Sequence, residues 1–110
     1  MTNLSVQYDQ SIETQLLTAK GFVESEELVN FLEQIPKQKI IINLSESNYV
    51  SNELLFWLQN YANAEKIVSV ILDKDFFPNA QIQTINTKAT NKYIYFCGHL
   101  LQARAWVAKF

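Results

Sequence analysis

Residues 39–58 read KIIINLSESNYVSNELLFWL and indicate the fold of this chain more clearly than any other stretch. An apolar run at residues 40–42 is followed by a polar turn and then, from Leu54 onward, by an amphipathic run. Strands that helices cover on both faces are apolar throughout. The stretch therefore predicts a buried strand over residues 39–44 that leads through a polar loop into a helix. Loops at the carboxyl ends of such strands bind ligands and partners in open α/β sheets, so this loop is the first candidate for a functional site.

The first third of the chain predicts two strands and a helix. Alternating apolar residues predict a half-buried strand over residues 4–8, and residues 12–20 predict a second strand that Gly21 ends. Ser25 is a favourable N-cap for the helix that follows, because a serine hydroxyl accepts a hydrogen bond from the first turn. That helix carries a one-sided apolar stripe, namely Leu28, Phe31, Leu32 and Ile35.

The second half of the chain predicts a second helix from about Ser51 and buried strands at residues 67–72 and 93–97. Residues 78–90 stay open between helix and loop, because apolar residues with helical spacing alternate there with three threonines. A last helix after Gly98 carries its apolar residues on one side: Leu100, Ala103, Trp106, Val107 and Phe110.

This order of elements predicts one α/β domain over residues 1–110. An N-terminal hairpin followed by alternating strands and helices gives a mixed β-sheet with a mostly parallel core, packed against about four helices. The length of 110 residues is enough for one hydrophobic core.

Composition excludes several functional classes. The net charge is −2 and Arg104 is the single arginine, which argues against nucleic acid as a partner. One cysteine excludes an internal disulfide and suits a reducing cytosol. No apolar run reaches the roughly 18 residues of a membrane span and no secretory signal is visible, so we expect a cytoplasmic protein without membrane insertion.

The sequence offers little for catalysis. His99 is the single histidine, so any serine or cysteine relay would have to use it, and its neighbour Cys97 is better explained as a buried core residue. Asp73 and Asp75 are better explained as a solvated loop than as a cation site. We therefore expect no catalytic residues, no metal and no cofactor.

Two aromatic pairs are candidates for an interaction surface. Phe56 and Trp57 share the second helix with three leucines, and one stripe cannot turn all five side chains inward. At least one of the two aromatic rings should therefore be partly exposed, as in an interface. Phe76 and Phe77 form either a docking knob or a lid on the core.

Five short motifs of this sequence are similar to those of one family. They are a glycine-containing segment at residues 19–23, Asn43-Leu44-Ser45 at a strand end, Tyr49-Val50, Ser51-Asn52-Glu53-Leu54-Leu55 at a helix start, and Ala103-Arg104-Ala105-Trp106-Val107 in the last helix. In this order they resemble the STAS domain superfamily, the fold of bacterial anti-sigma-factor antagonists, and in particular its SpoIIAA-like relatives.

The resemblance implies a phosphorylation site at the start of the second helix. Asn52 falls where the family has its phosphorylated serine, and a shift of one residue would make Ser51 the phosphoacceptor. Phosphate is favoured at a helix N-terminus, although a serine there is also an ordinary N-cap. If Asn52 is the true equivalent, the family's kinase switch is absent and a constitutive interaction module remains.

The resemblance also implies a function. It predicts a non-catalytic regulatory or interaction module that binds a regulatory kinase, an anti-sigma-like protein or a second copy of itself. The predicted partner-binding residues are Tyr49, Ser51, Asn52, Glu53, Phe56 and Trp57. The alternative is a carrier of a small ligand, either a lipid or a nucleotide. An apolar groove beside the third and fourth helices would favour the carrier, and a flat patch around Phe56 and Trp57 would favour the protein partner.

Overall fold

Strands and helices alternate along the chain as the sequence predicts. The computed structural model describes residues 3–35, 38–61 and 66–110. The elements are β1 Asn3–Asp9, β2 Thr14–Phe22, α1 Ser25–Gln34, β3 Lys39–Asn43, β4 Ser47–Tyr49, α2 Asn52–Gln59, β5 Ile67–Ile71, α3 Asn79–Lys88, β6 Ile94–Cys97 and α4 Leu100–Val107. In these described residues, no helix combines the length and the apolar character that a membrane span requires.

The strands form a mixed sheet in the order β1-β2-β3-β5-β6, with the short β4 paired to the end of β2. β1 and β2 form an antiparallel hairpin, whereas β2, β3, β5 and β6 run parallel to one another. The predicted α/β fold with an N-terminal hairpin and a mostly parallel core is therefore confirmed. Because the parallel strands run in one direction, their C-terminal ends and the loops after them lie together, at what we call the carboxyl edge.

Helices cover both faces of the sheet. The larger core cluster joins α1, α2 and α3 to one face, for example through Leu32, Leu58 and Ile42. The smaller cluster places Ala103 and Val107 of α4 on the opposite face. Neighbouring strand residues point to opposite faces, so each residue of the β3 apolar run is buried against one cluster or the other. This double cover is the reason that β3 and β5 are apolar without alternation.

A polar contact joins the N-terminal hairpin to the last helix. The Arg104 guanidinium donates to the Asp9 carboxylate, and the Ser11 hydroxyl donates to the same carboxylate at 2.6 Å. The hydrogen bond from Ser11, followed by the one from Arg104, lowers the pKa of Asp9 from its ordinary value of 3.8. The sole arginine of the chain therefore has a structural position between α4 and the β1–β2 turn.

Two local predictions, one about the end of β2 and one about the start of α1, are wrong. Gly21 does not end β2, which continues to Phe22; Gly21 adopts a φ of +73° and marks a register shift where β2 meets β4. Ser25 is not the N-cap of α1, because Glu24 takes that position without a side-chain cap and Ser25 is the first helical residue.

Three further differences concern short or irregular segments. β4 was not expected, because its polar residues lack the alternation of a strand. The open segment at residues 78–90 forms α3, where the Thr84 and Thr87 hydroxyls donate to carbonyl groups four residues earlier. Leu100 and Phe110 are not inward residues of α4, because both are exposed; Phe110 follows the helix with its ring edge against Tyr93.

Candidate functional site

The N-terminus of α2 is built on Ser51. This residue is the N-cap, and its Oγ accepts a hydrogen bond from the Leu54 backbone N–H at 3.1 Å. Asn52 and Glu53 follow in the first turn with exposed side chains. A carboxylate at this position interacts favourably with the helix dipole. The predicted helix start near Ser51 is therefore confirmed, and it places two polar side chains at the carboxyl edge.

One of the two neighbouring aromatic residues of α2 faces solvent. Phe56 is 67% exposed, whereas Trp57 is half-buried against the core with its ring centroid 5.0 Å from that of Tyr61. The inward side of the helix is occupied by Leu54, Leu55 and Leu58. The prediction that at least one aromatic ring is partly exposed is confirmed, and the outward residue is Phe56.

The loop before α2 is shaped by hydrogen bonds of its own. Asn43 Oδ1 accepts from both the backbone N–H and the hydroxyl of Ser45, at 3.0 and 2.6 Å. Ser47 Oγ donates to the Leu44 carbonyl at 2.6 Å. Tyr49 ends β4, directly before the residues that lead into α2. These bonds fix the predicted loop at the carboxyl edge, next to the start of α2.

A groove lies between α2 and α3, and it encloses about 410 Å³. We call it the α2–α3 groove. It is lined by Asn52, Leu55, Phe56, Gln59, Phe77, Gln81, Thr84, Ile85 and Lys88. Gln59 Nε2 donates to the Ile85 carbonyl at 3.0 Å and joins the two helices at the end away from the carboxyl edge. Two of the predicted site residues, Asn52 and Phe56, therefore share a concave surface with α3.

A second depression lies beside α3 and the start of α4, and it differs in character. It encloses about 180 Å³, and amide side chains of Asn79, Gln83, Asn86 and Gln102 contribute to its wall. The Asn86 side chain donates to the Phe96 carbonyl at 2.8 Å and accepts from the Phe96 N–H at 2.7 Å. This depression is not the apolar groove beside the third and fourth helices that would favour a lipid carrier.

The structure does not bring Cys97 and His99 together as a side-chain pair. His99 is exposed, and its Nε2 lies 2.6 Å from Lys74 Nζ. Cys97 is buried, its Sγ donates to the backbone carbonyl of His99, and burial raises the pKa of the thiol. Among the described ranges of the chain, no group of three or more histidine, cysteine, aspartate or glutamate residues could hold a metal ion.

Phe76 and Phe77 differ in exposure, so each fits one of the two alternatives that the sequence left open, a docking knob or a lid on the core. Phe76 is 67% exposed at the carboxyl edge, while Phe77 is half-buried against the core and lines the α2–α3 groove. The turn beneath them is fixed by Asp73, whose Oδ1 accepts from the Asp75 N–H at 2.9 Å. The pair therefore supplies one protruding ring and one ring that covers the core.

The α3 side of the groove was not predicted as part of a site. Gln81, Thr84 and Lys88 lie on α3, which the sequence left undecided between helix and loop, and none of them belongs to a recognised motif. The signal that could have found them is the spacing of Ile82 and Ile85, which places the remaining residues of α3 outward.

Comparison with known proteins supports the fold. No model of a known protein family matches the sequence, and no curated protein matches it. Among solved structures, the chain is similar to an uncharacterized protein of the DUF3478 family from Shewanella loihica PV-4, described as having a SpoIIAA-like fold. The TM-score is 0.58 at 16% sequence identity, and the match covers 96% of this chain and 93% of that chain. The chain therefore has a SpoIIAA-like fold, in agreement with the STAS resemblance.

Proposed function

We propose that this chain is a non-catalytic interaction module that binds a protein partner through the start of α2 and the side chain of Phe56. The observation that carries the proposal is the exposure of Phe56, a large aromatic ring on the same helix face as the exposed Asn52. Aromatic residues surrounded by a polar rim are enriched among the side chains that dominate binding energy. Ser51 and Glu53 are the sequence neighbours of Asn52, and the proposed binding surface includes them together with Tyr49, which ends β4, and Trp57, which is half-buried against the core on the same helix.

The absence of catalysis is part of the proposal. General acid–base work needs a titratable group within reach of substrate. The histidine side chain is paired with Lys74, and the cysteine is buried with a raised thiol pKa. A panel of esterase, phosphatase and nucleotide substrates tests this point. Turnover by the wild type that disappears in His99→Ala would contradict it.

Phosphorylation of Ser51 is the regulatory form of the same proposal. The Ser51 hydroxyl is half-buried and lies 3.1 Å from the Ser25 hydroxyl, so a phosphoryl group there would replace both that contact and the N-cap. Mass spectrometry of the protein from its native cells, with and without phosphatase, checks this. We expect a phosphate-sized mass shift on the peptide that contains Ser51; a shift on other peptides only would remove this form of regulation.

Site-specific photo-crosslinking in native cells tests the binding surface. A photoreactive amino acid at position 56 should capture a discrete partner, whereas the same group at Leu101 should not. Leu101 is a matched control, since it is 79% exposed on α4, on the other side of the sheet. A product of twice the chain mass would identify the partner as a second copy. The same products from both positions would contradict the proposal.

A small-ligand carrier is the second candidate, and the α2–α3 groove is the observation that favours it. Its volume of about 410 Å³ lies within the usual range of about 300–1,000 Å³ for small-molecule sites. Native mass spectrometry of the gently purified protein distinguishes the two functions. A bound small molecule that is lost in Phe56→Ala would favour the carrier over the protein partner.

A further inference from the structure

We infer that the α2–α3 groove binds an amphipathic helix of the protein partner, with basic side chains at the helix end that lies at the carboxyl edge. This inference rests on the proposed function and specifies the chemistry of the partner. It follows from three features of the described residues: the shape of the groove, the charge at each of its ends, and the state of the backbone in its walls.

The groove has the length and lining of a helix-binding site. It runs beside α2, whose eight residues extend over about 12 Å at 1.5 Å per residue, or about two helical turns. Leu55 and Ile85 lie at its base with little exposure, and the ring of Phe56 stands beside them as an exposed wall. Helices bind such grooves through apolar side chains spaced three, four and seven residues apart.

Two exposed carboxylates lie close in sequence to the groove lining at the carboxyl edge, whereas Lys88 is the charged residue among the described residues that line the groove itself. Glu53 adjoins the lining residue Asn52, and Asp75 lies two residues before the lining residue Phe77. Within the part of the chain that the structure describes, neither Glu53 nor Asp75 is in an ion pair. Lys74 does not line the groove; its side chain runs across Gly98, where an added Cβ would lie 2.6 Å from its Cγ, and ends at His99.

Acidic residues also predominate in the described loops and helix starts that follow β2, β3 and β5 at the carboxyl edge. Over the described ranges, seven carboxylates and one lysine lie in the loops and first helical turns there, namely Glu24, Glu26, Glu27, Glu46, Glu53, Asp73 and Asp75 with Lys74. Lys20, near the end of β2, lies 4.0 Å from the Glu46 carboxylate. At the opposite end of the groove the charge is reversed, because Lys88 lines it. A partner helix with Lys or Arg in its N-terminal turn complements this edge, and the positive end of its own dipole would face the same carboxylates.

The walls of the groove favour a helix over an extended strand. Addition of a strand requires a free sheet edge that can supply backbone N–H and carbonyl groups. Here both walls are helices, α2 and α3, whose central backbone groups are paired within each helix. The groove therefore recognises side chains, and an occupant that satisfies its own backbone fits it.

A selection from a displayed library of helical peptides tests the inference. The intact protein is the target, and library positions are randomised on a helical scaffold that has no charge bias. We expect enriched peptides with apolar residues at helical spacing and with Lys or Arg in the first turn. A synthetic peptide of the enriched sequence should bind at least about tenfold more weakly to Phe56→Ala. Its affinity should also fall in Glu53→Lys/Asp75→Lys and with rising salt.

Matched controls are available on the same chain. Leu101→Ala removes an exposed apolar side chain outside the groove, and Glu13→Lys reverses an exposed charge in the β1–β2 turn. Both should bind the selected peptide like the wild type. Failure to enrich any peptide, enrichment without a basic first turn, or equal binding to Phe56→Ala would overturn the inference.

Other occupants give results of their own. Concentration-dependent dimers in sedimentation that vanish in Phe56→Ala would show that a second copy occupies the groove, and a co-purified small molecule lost in this variant would show a ligand; either result would overturn the inference. A cross-link from position 56 to a protein, together with enriched peptides that lack basic residues, would leave the proposed function standing and reject the chemistry inferred for the partner.

Discussion

The hydroxyl groups of Ser25 and Ser51 lie 3.1 Å apart and share a hydrogen bond. Ser25 is the first residue of α1, and Ser51 is the N-cap of α2, so this contact joins the starts of two helices at the carboxyl edge. Ser51 Oγ also accepts from the Leu54 N–H. The unmodified hydroxyl of Ser51 therefore has a structural role, because it caps α2 and links the starts of the two helices.

Replacing Ser51 by alanine should lower the free energy of unfolding by about 1 kcal/mol, the usual effect of losing an N-cap. Ser25→Ala removes only the bond between the hydroxyls and should lower it less, by roughly 0.5 kcal/mol. Urea denaturation of the two variants and of the double variant measures both effects. An equal loss for the two single variants would show that the cap bond contributes nothing beyond the contact with Ser25.

Truncation of Leu58 should lower the stability far more than truncation of Phe56, because the two side chains lie on opposite sides of α2. Leu58 is fully buried in the larger core cluster, so Leu58→Ala should lower the free energy of unfolding by about 2–5 kcal/mol. Phe56 is mostly exposed, and Phe56→Ala should change it by no more than about 0.5 kcal/mol. Thermal or urea denaturation checks the pair. A large loss in Phe56→Ala would mean that its ring is packed, and would remove it as a surface residue.

Much of the fold follows from local sequence because burial leaves a clear pattern. β3 and β5 are covered on both faces, and their apolar runs predict this directly. β4 could not be predicted, since it has three residues and forms only by pairing with Gly21 and Phe22 at the end of β2. Ser25 has the composition of an N-cap, but in the folded chain its hydroxyl bonds to Ser51, a residue 26 positions away.

The candidate site was predicted on one side only. The start of α2 and its outward aromatic ring are visible from helical periodicity, because the three buried leucines set the orientation of the helix. The opposite wall depends on how α3 packs beside α2, and its threonines weaken the helical signal. Their hydroxyls bond to carbonyl groups of the preceding turn, which sequence alone does not reveal.

The contact between Asp9 and Arg104 predicts a pH-dependent contribution to stability. Hydrogen bonds from Ser11 and Arg104 hold the pKa of Asp9 below its ordinary value of 3.8 in the folded state. A carboxyl group with a lowered folded pKa stabilises the protein above its unfolded pKa, and this effect is lost as the pH falls through the folded pKa. Asp9→Asn should therefore be less stable than wild type at pH 7, and the difference should shrink below about pH 4. Urea denaturation across this range measures it; a difference that is constant with pH would contradict the assignment.

Cys97 should be unreactive in the folded protein. Its side chain is buried in the smaller core cluster, and this burial raises the pKa of the thiol. Since the thiolate is the reactive form, labelling by a chromogenic disulfide reagent at pH 8 should be slow in buffer and rapid in denaturant. The ratio of the two rates reports how often the sheet opens near β6. Rapid labelling without denaturant would show that the thiol is accessible.

Asn86 should stabilise the sheet by pairing with the edge of β6. β6 is the last strand in the sheet order, and the Asn86 amide makes two hydrogen bonds to the backbone of Phe96, one as donor and one as acceptor. Asn86→Ala leaves the backbone N–H and carbonyl of the fully buried Phe96 without these two hydrogen bonds, which should lower the free energy of unfolding by about 2 kcal/mol. Gln83→Ala is the matched control, because Gln83 lies on the same helix with an exposed side chain. An uncovered edge strand also pairs readily with other chains, so Asn86→Ala should aggregate more on heating, as light scattering would detect. Equal stability of the two variants would show that water replaces the amide without loss.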